Sequence, residues 1–323
     1  MKVLVVQNRM GIGDMVIFLP YIQAISKNYN IPVSILVKKN TKSSEFLSNT
    51  QYINQILILD RDDKKKIGRH YGIKGILNLA SDLKKNNFDK IFIFNSSLRF
   101  RLSANIAGIK KIYQYKLFDK KNQDIIKTAN NFIKDKLNID VENNPKIDID
   151  PNAISKAKTK YKTSDEIIDI LLGIGGSGPT KRVDSKKFIE FIKICLEKYK
   201  CRFFLAAGMS DVEVKIINFF LESKYKDNCI PINNLKISET LPIIKNCKIS
   251  ICNDTSFSHL SAALGIPTIV LMTDTPIVYG NYSPQMYPII PDGETTVSHN
   301  TLGKDRINPE KIFLEMKKIL NLS

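Results

Sequence analysis

The chain has 323 residues, 43% of them apolar and 25% charged, which suits a water-compatible globular protein with one large or two ordinary cores. No apolar run approaches the roughly 18 residues that cross a bilayer, and the opening stretch Met1–Gln7 is too short for a signal peptide and lacks a small-residue cleavage site, so a cytoplasmic location is expected. The net charge of +17 is uneven: residues 1–150 hold 26 Lys and Arg against 14 Asp and Glu (+12), and residues 151–323 hold 23 against 18 (+5). A basic first half could serve nucleic acid, an anionic membrane surface or a phosphorylated substrate, or be solubilising lysine with no further role.

Lys2–Gln7 is a continuous apolar run of the kind buried in a parallel sheet. It leads into Asn8-Arg9-Met10-Gly11-Ile12-Gly13-Asp14 and an apolar helix over Met15–Ile25, with Gly11 and Gly13 allowing close backbone approach at its mouth. The third glycine of a dinucleotide fingerprint is missing, and Val33–Val37 runs into Lys38 and Lys39 rather than an acidic residue, so a dehydrogenase reading is weak. Strands are expected at Val33–Val37 and Gln55–Leu59, with a helix over Ser43–Asn49 between them. A charged loop, Asp60–Lys66, precedes a helix over Tyr71–Lys85 and a strand over Asp89–Phe94. That strand empties into Asn95-Ser96-Ser97-Leu98-Arg99-Phe100-Arg101 and a small-residue helix ending at Ala107-Gly108. Helical spacing recurs over Gln123–Leu137, and the polar stretch Asn138–Asp165, with Pro145 and Pro151, suggests a domain boundary near residue 150.

The second half opens with a strand over Ile167–Gly173 and a glycine-rich turn, Ile174 to Arg182, whose spacing is not that of a P-loop. A helix over Phe188–Tyr199, a strand over Cys201–Ala207, and helices beginning at Met209–Glu213 and Ser238–Leu241 follow. Cys195, Cys201, Cys229, Cys247 and Cys252 are odd in number and lack Cys-x-x-Cys spacing, which argues for buried free thiols rather than disulfides or zinc. The stretch Ile249–Met272 then reads as strand, polar turn, helix of about ten residues and strand, with Asn253, Asp254, Thr255 and Ser256 where a cap is wanted and Gly265 and Pro267 as the stop. Such a helix start suits a phosphate, and it is equally an ordinary capped helix. Asn308–Leu320 is the final amphipathic helix.

The run Asn253 to Pro267 closely resembles the nucleotide-sugar turn of glycosyltransferase family 9, the bacterial heptosyltransferases. Three further stretches are similar to that family: Gly13-Asp14 with Pro20 six residues on, the Ser-x-x-Arg stretch before the small-residue helix, and the glycine-rich loop with Thr180 and Lys181. Two departures stand out, Val183-Asp184 where the family usually has Trp-Pro and Thr273-Asp274 where it has Gly-Pro.

The resemblance implies an α/β protein of GT-B architecture, with two Rossmann-like doubly wound domains facing a central cleft: residues 1–150 for the acceptor and residues 151–323 for the nucleotide sugar. The final helix, 308–320, would pack at the domain junction. The implied reaction is inverting, metal-independent and cofactor-free transfer, most simply of heptose from ADP-heptose to a lipopolysaccharide core or related anionic lipid-linked glycan. Asp14 would be the general base, or no more than a carboxylate favourably placed in a first helical turn. Lys181 would hold the departing diphosphate, with Gly13, Thr180, Glu213, Asp254, Thr255, Ser256 and His259 on the donor side; His259 could equally just pack. Arg9, Arg99 and Arg101 would meet the acceptor, with Lys64, Lys65 and Arg69 nearby, and peripheral contact with the inner membrane would suit the basic first half. The alternatives are a GT-B enzyme using another nucleotide sugar, such as an epimerase, or a basic nucleic-acid-binding protein, for which no recognisable motif is present.

Overall fold

The computed structural model describes residues 1–117, 124–176 and 178–322. Of the sequence expectations, the start of the helix at Gln123 and Ser177 of the glycine-rich turn lie outside them. The chain divides into two compact units, Met1–Asn143 and Asn144–Ser323.

The first unit runs β1 (Val3–Gln7), α1 (Ile12–Tyr29), β2 (Val33–Lys38), α2 (Ser43–Phe46), β3 (Ile53–Leu59), α3 (Gly72–Lys84), β4 (Lys90–Ile93), α4 (Leu98–Ile106), β5 (Lys111–Gln114) and α5 (Ile125–Leu137). Its five strands are all parallel, in the order β3-β2-β1-β4-β5. Every residue of β1 is buried, as expected for a central strand covered on both faces. Right-handed crossovers place α1 on one face, where it packs on α5, and α3 with α4 on the other. Under α1 the core is aromatic: Phe18, Tyr21, Phe94 and Phe132 meet edge to face or tilted, with centroids 5.1–6.0 Å apart along the chain Phe132–Phe94–Phe18 and at Tyr21–Phe94.

The second unit runs α6 (Pro151–Lys160), β6 (Ile168–Gly173), α7 (Ser185–Lys198), β7 (Cys201–Ala206), α8 (Asp211–Leu221), β8 (Cys229–Pro231), α9 (Ile237–Asn246), β9 (Ile249–Asn253), α10 (Ser256–Ala263), β10 (Thr268–Leu271), α11 (Val278–Asn281), β11 (Met286–Ile289) and α12 (Pro309–Leu320). The six strands are parallel in the order β11-β10-β9-β6-β7-β8, the six-stranded Rossmann arrangement. Residues 144–150, placed before the boundary by composition, stay with this unit: the Ile147 N–H donates to the Ala263 carbonyl at 3.0 Å.

The final helix, α12, packs on α7, and its Ile312, Phe313 and Met316 join the core formed by Phe188, Phe191, Phe203 and Phe220. All five cysteines are free and buried. Burial pushes the thiols of Cys229 and Cys252 up to about 12, which keeps them protonated and inert. Among the described residues no helix is long and apolar enough to cross a membrane.

Candidate functional site

In an open parallel sheet, ligands bind beyond the carboxyl ends of the strands where the strand order reverses. In the second unit that point lies between β6 and β9, and it is from these two neighbours that the glycine-rich turn and the α10 turn leave the sheet. In the first unit it lies between β1 and β4, which lead to Arg9–Asp14 and to Ser96–Arg99. Most of the sequence-predicted groups therefore stand at the switch points of the two sheets, while Glu213 follows the neighbouring strand β7.

The second-unit site is built around Asn253, the last residue of β9 and fully buried. Its side chain does not cap α10. Its Nδ2 donates to the carbonyls of Ile174 and Gly175, each at 3.1 Å, and its Oδ1 accepts from the Val183 N–H at 3.3 Å. One amide thus fixes both ends of the glycine-rich loop. The cap falls to Thr255, whose hydroxyl accepts from the Phe257 N–H at 3.3 Å, and Ser256 opens the helix.

Lys181 reaches from that loop to Asp254, with Nζ to Oδ2 at 2.9 Å. The Nε2 of His259 stands 3.8 Å from Oδ1 of the same carboxylate, and its Nδ1 lies 2.9 Å from the Tyr282 hydroxyl, with the two rings stacked. His259 therefore does pack, and it also faces the site. Burial works to raise the Asp254 carboxyl, but the charges of His259 and Lys181 and the Lys181 hydrogen bond outweigh it, leaving it below the usual carboxylate range.

Glu213, the third residue of α8, ties two turns together. Its Oε1 accepts from the N–H groups of Gly208 at 3.0 Å and Gly176 at 3.3 Å, and its Oε2 from the Ser210 hydroxyl at 2.7 Å. Burial raises this carboxyl, and the Ser210 hydroxyl and the two glycine amides bring it down further than burial lifts it. Two glycines make room for the carboxylate: a Cβ at Gly175 would lie 2.5 Å from Oε1, and one at Gly208 only 2.4 Å from Oε2. Glu213 thus shapes the loop that carries Thr180 and Lys181.

Both departures from the family pattern have work in this structure. Val183 is buried in the core, and Asp184 caps α7 by accepting from the Lys186 N–H at 2.8 Å. The Thr273 hydroxyl donates to the Thr180 carbonyl at 2.8 Å, a bond glycine could not make. Asp274 accepts from the Leu302 N–H at 3.0 Å, which holds its carboxyl below the usual range and draws residues 298–303 towards the loop.

In the first unit, Gly11 precedes α1 with φ +108°, a conformation that favours glycine, and Ile12, Gly13 and Asp14 form the first turn. Asp14 Oδ1 accepts from the Arg9 Nε at 2.8 Å, the carboxylate side chain being 19% exposed and the arginine 45%. Arg99 donates to the Gly72 carbonyl at 2.6 Å; burial lowers its affinity for its proton, as does the neighbouring Arg61 charge. Arg101 lies exposed on α4. Arg69 is committed elsewhere: its fork takes both oxygens of Asp82 at 2.9 Å, and His70, its Nδ1 accepting from the Asp60 N–H at 3.1 Å, holds Asp82 Oδ2 at 3.0 Å through Nε2. Lys64 and Lys65 give their backbone N–H groups to Asp62, and their side chains sit on the exposed tip of that loop.

The sequence reading missed Asn253 as a clamp and Thr273 as a support. The signal for Asn253 was present: a polar residue ending a buried strand, directly beside a glycine-rich turn, needs hydrogen-bond partners from that turn. Among the described residues no three His, Cys, Asp or Glu side chains gather as a metal site.

The sequence profile of glycosyltransferase family 9 (heptosyltransferase) matches residues 107–306. No curated protein sequence matches the chain. In fold, the chain is similar to the glycosyl transferase family 9 protein from Veillonella parvula DSM 2008 (TM-score 0.77, 17% identity, covering 100% of this chain and 98% of that one). It is similar also to E. coli ADP-heptose lps heptosyltransferase II (0.72, 16%, 99% of each) and to E. coli heptosyltransferase WaaC with ADP (0.72, 13%, 99% and 100%). A profile that spans more than half the residues, joined to two parallel-sheet Rossmann-like units like those of solved heptosyltransferases, makes this chain a glycosyltransferase belonging to family 9.

Proposed function

We propose that the enzyme transfers a sugar, most simply heptose from ADP-heptose, to a hydroxyl of a lipopolysaccharide-core or related anionic glycan, with inversion and without a metal. The observation that carries this reading is the Lys181–Asp254 pair at the mouth of α10, between the two turns that leave the switch point of the second sheet. A diphosphate placed there meets an ammonium group and the amide end of a helix. Both stabilise the negative charge that develops as the sugar–phosphate bond breaks, the service a divalent metal gives in other transferases. WaaC, similar in fold, is solved with ADP, which supports an ADP-linked donor.

In the proposed step the acceptor oxygen attacks the anomeric carbon from the face opposite the diphosphate, forming the new glycosidic bond. The bond from that carbon to the β-phosphate oxygen breaks, and the nucleoside diphosphate leaves with the electron pair. The hydroxyl proton passes to Asp14. Arg9 holds that carboxylate at 2.8 Å while the acceptor is absent, and its guanidinium is then the natural partner for an acceptor phosphate or carboxylate.

The test is product analysis by mass spectrometry with ADP-heptose and a panel of other nucleotide sugars, with and without a core-glycan acceptor. The expected result is acceptor-dependent ADP release, insensitive to EDTA, that falls at least about a thousandfold in Asp14→Asn while ADP binding is kept. Near-normal turnover of Asp14→Asn removes it as the base, full and reversible inhibition by EDTA removes the metal-free electrostatics, and an epimerised sugar nucleotide made without acceptor removes the transfer itself.

A further inference from the structure

The outer surface of α3 and α4 carries aliphatic side chains that the first unit leaves in solvent. Ile73 is 83% exposed and Leu77 56%, one turn apart on α3; Leu98, Leu102 and Ile106 are 38%, 39% and 52% exposed, spaced by four on α4. Spacing by four puts each set on a single stripe. Two hydrogen bonds fix the helices relative to each other: Arg99 to the Gly72 carbonyl at 2.6 Å and the Ser103 hydroxyl to the Ile76 carbonyl at 3.0 Å. The bonds advance four residues on both helices, so α3 and α4 run side by side in the same direction. With that offset of 27 residues, Leu98 and Leu102 lie about half a helical turn from Ile73 and Leu77 along the axis, and the stripes flank one seam.

The charge around that seam has one sign. From residue 72 to 111 there are eight Lys and Arg and two acids. Both acids are engaged, Asp82 by Arg69 and His70 and Asp89 by the Lys2 backbone N–H at 2.7 Å. Lys74 and Arg101, beside Ile73 and Leu102 in sequence, are exposed, as is Lys84 on the same ridge as Leu77. The loop leading into α3, residues 60–69, adds five Lys and Arg against Asp60, Asp62 and Asp63, a further net +2, with Ile67 57% exposed.

We infer that the α3–α4 face docks on an anionic lipid surface, its aliphatic seam entering the headgroup region and its basic rim meeting the lipid charge. The charge argues against a second copy of the chain, since two such faces would bring like-charged rims together. It fits nucleic acid poorly, because the seam holds no aromatic ring on which a base could stack. The inference does not depend on which sugar is transferred or on Asp14.

The test uses the full chain and sedimentation with vesicles, either pure phosphatidylcholine or phosphatidylcholine with phosphatidylglycerol. The chain is expected on the anionic vesicles and not on the neutral ones. Leu77→Ser with Leu102→Ser should lower the partition coefficient about tenfold with the melting temperature and ADP binding unchanged, and Lys74→Glu with Lys84→Glu should do the same through charge. Three outcomes overturn the inference: no binding to the anionic vesicles, binding undiminished in the serine variant, or a concentration-dependent dimer in sedimentation velocity that the serine variant abolishes. ADP binding and transfer to a water-soluble acceptor fragment report on the proposed reaction separately, so either reading can fail without the other.

Discussion

The ammonium of Lys181 lies 2.9 Å from the Asp254 carboxylate, a contact that joins the turn after β6 to the turn after β9 across 73 residues of chain. Asp254 is nearly inaccessible, at 7%, while Lys181 keeps 28% of its side chain in solvent. The buried partner orients the exposed one. Were a diphosphate to take the ammonium as proposed, His259 would remain 3.8 Å from Asp254, so the carboxylate would not be left alone.

Removing the cation tests its role directly. Lys181→Ala should lower kcat/KM by about a hundredfold or more and cost about 1–3 kcal/mol of stability, because a buried carboxylate loses its hydrogen-bonded partner. Steady-state kinetics and urea unfolding measure the two effects. Unchanged kinetics in a destabilised variant would assign Lys181 to structure alone.

The Asp254 carboxyl should also be visible in the pH dependence of unfolding. Its folded value is depressed below the ordinary value near 4. Between those two values the unfolded chain binds more protons than the folded one, so the stabilisation is complete above about 4 and is lost as pH falls through the folded value. Urea midpoints measured from about pH 6 down to about pH 3 should fall more steeply for the parent than for Asp254→Asn. Parallel curves would mean that the carboxylate gains nothing from its partners.

Asn253 should be the least replaceable polar residue of the second unit. Asn253→Asp keeps the shape but turns an oxygen towards the Ile174 and Gly175 carbonyls, and Asn253→Ala leaves both carbonyls and the Val183 N–H unpaired. Each should cost about 2–4 kcal/mol and raise the KM for donor. Thermal unfolding and donor titration check this, and a neutral Asn253→Ala would show that the loop closes without it.

Glu213 and Gly208 should behave as one unit. A methyl at Gly208 displaces the Glu213 carboxylate, so Gly208→Ala should destabilise by about 1–2 kcal/mol in the parent and by distinctly less in a Glu213→Ala background. Additive losses in that double-mutant cycle would place the strain elsewhere.

The elements at the centre of each sheet were legible because burial on both faces writes itself as unbroken apolar runs, as in Val3–Val6 and Ile170–Leu172. The edges were not. The edge strand β5 reads Lys-Ile-Tyr-Gln, and β11, also an edge, tolerates Pro288, so neither carries the pattern of a central strand. Helix α6 buries no residue fully, so no apolar stripe betrayed it. Asp150-Pro151, cap followed by first helical position, was its sequence signature within the polar stretch. The site was half legible. Motif resemblance pointed to Lys181, Asp254 and Asp14, and a polar residue ending a buried strand signalled that Asn253 needs partners, but which partners, 70 to 79 positions away, no local pattern names.

Because Asn253 grips Ile174, Gly175 and Val183, the two ends of the glycine-rich loop surrender their conformational freedom when the unit folds. A nucleotide bound there as proposed would meet loop ends already fixed, and its affinity would carry no penalty for ordering them.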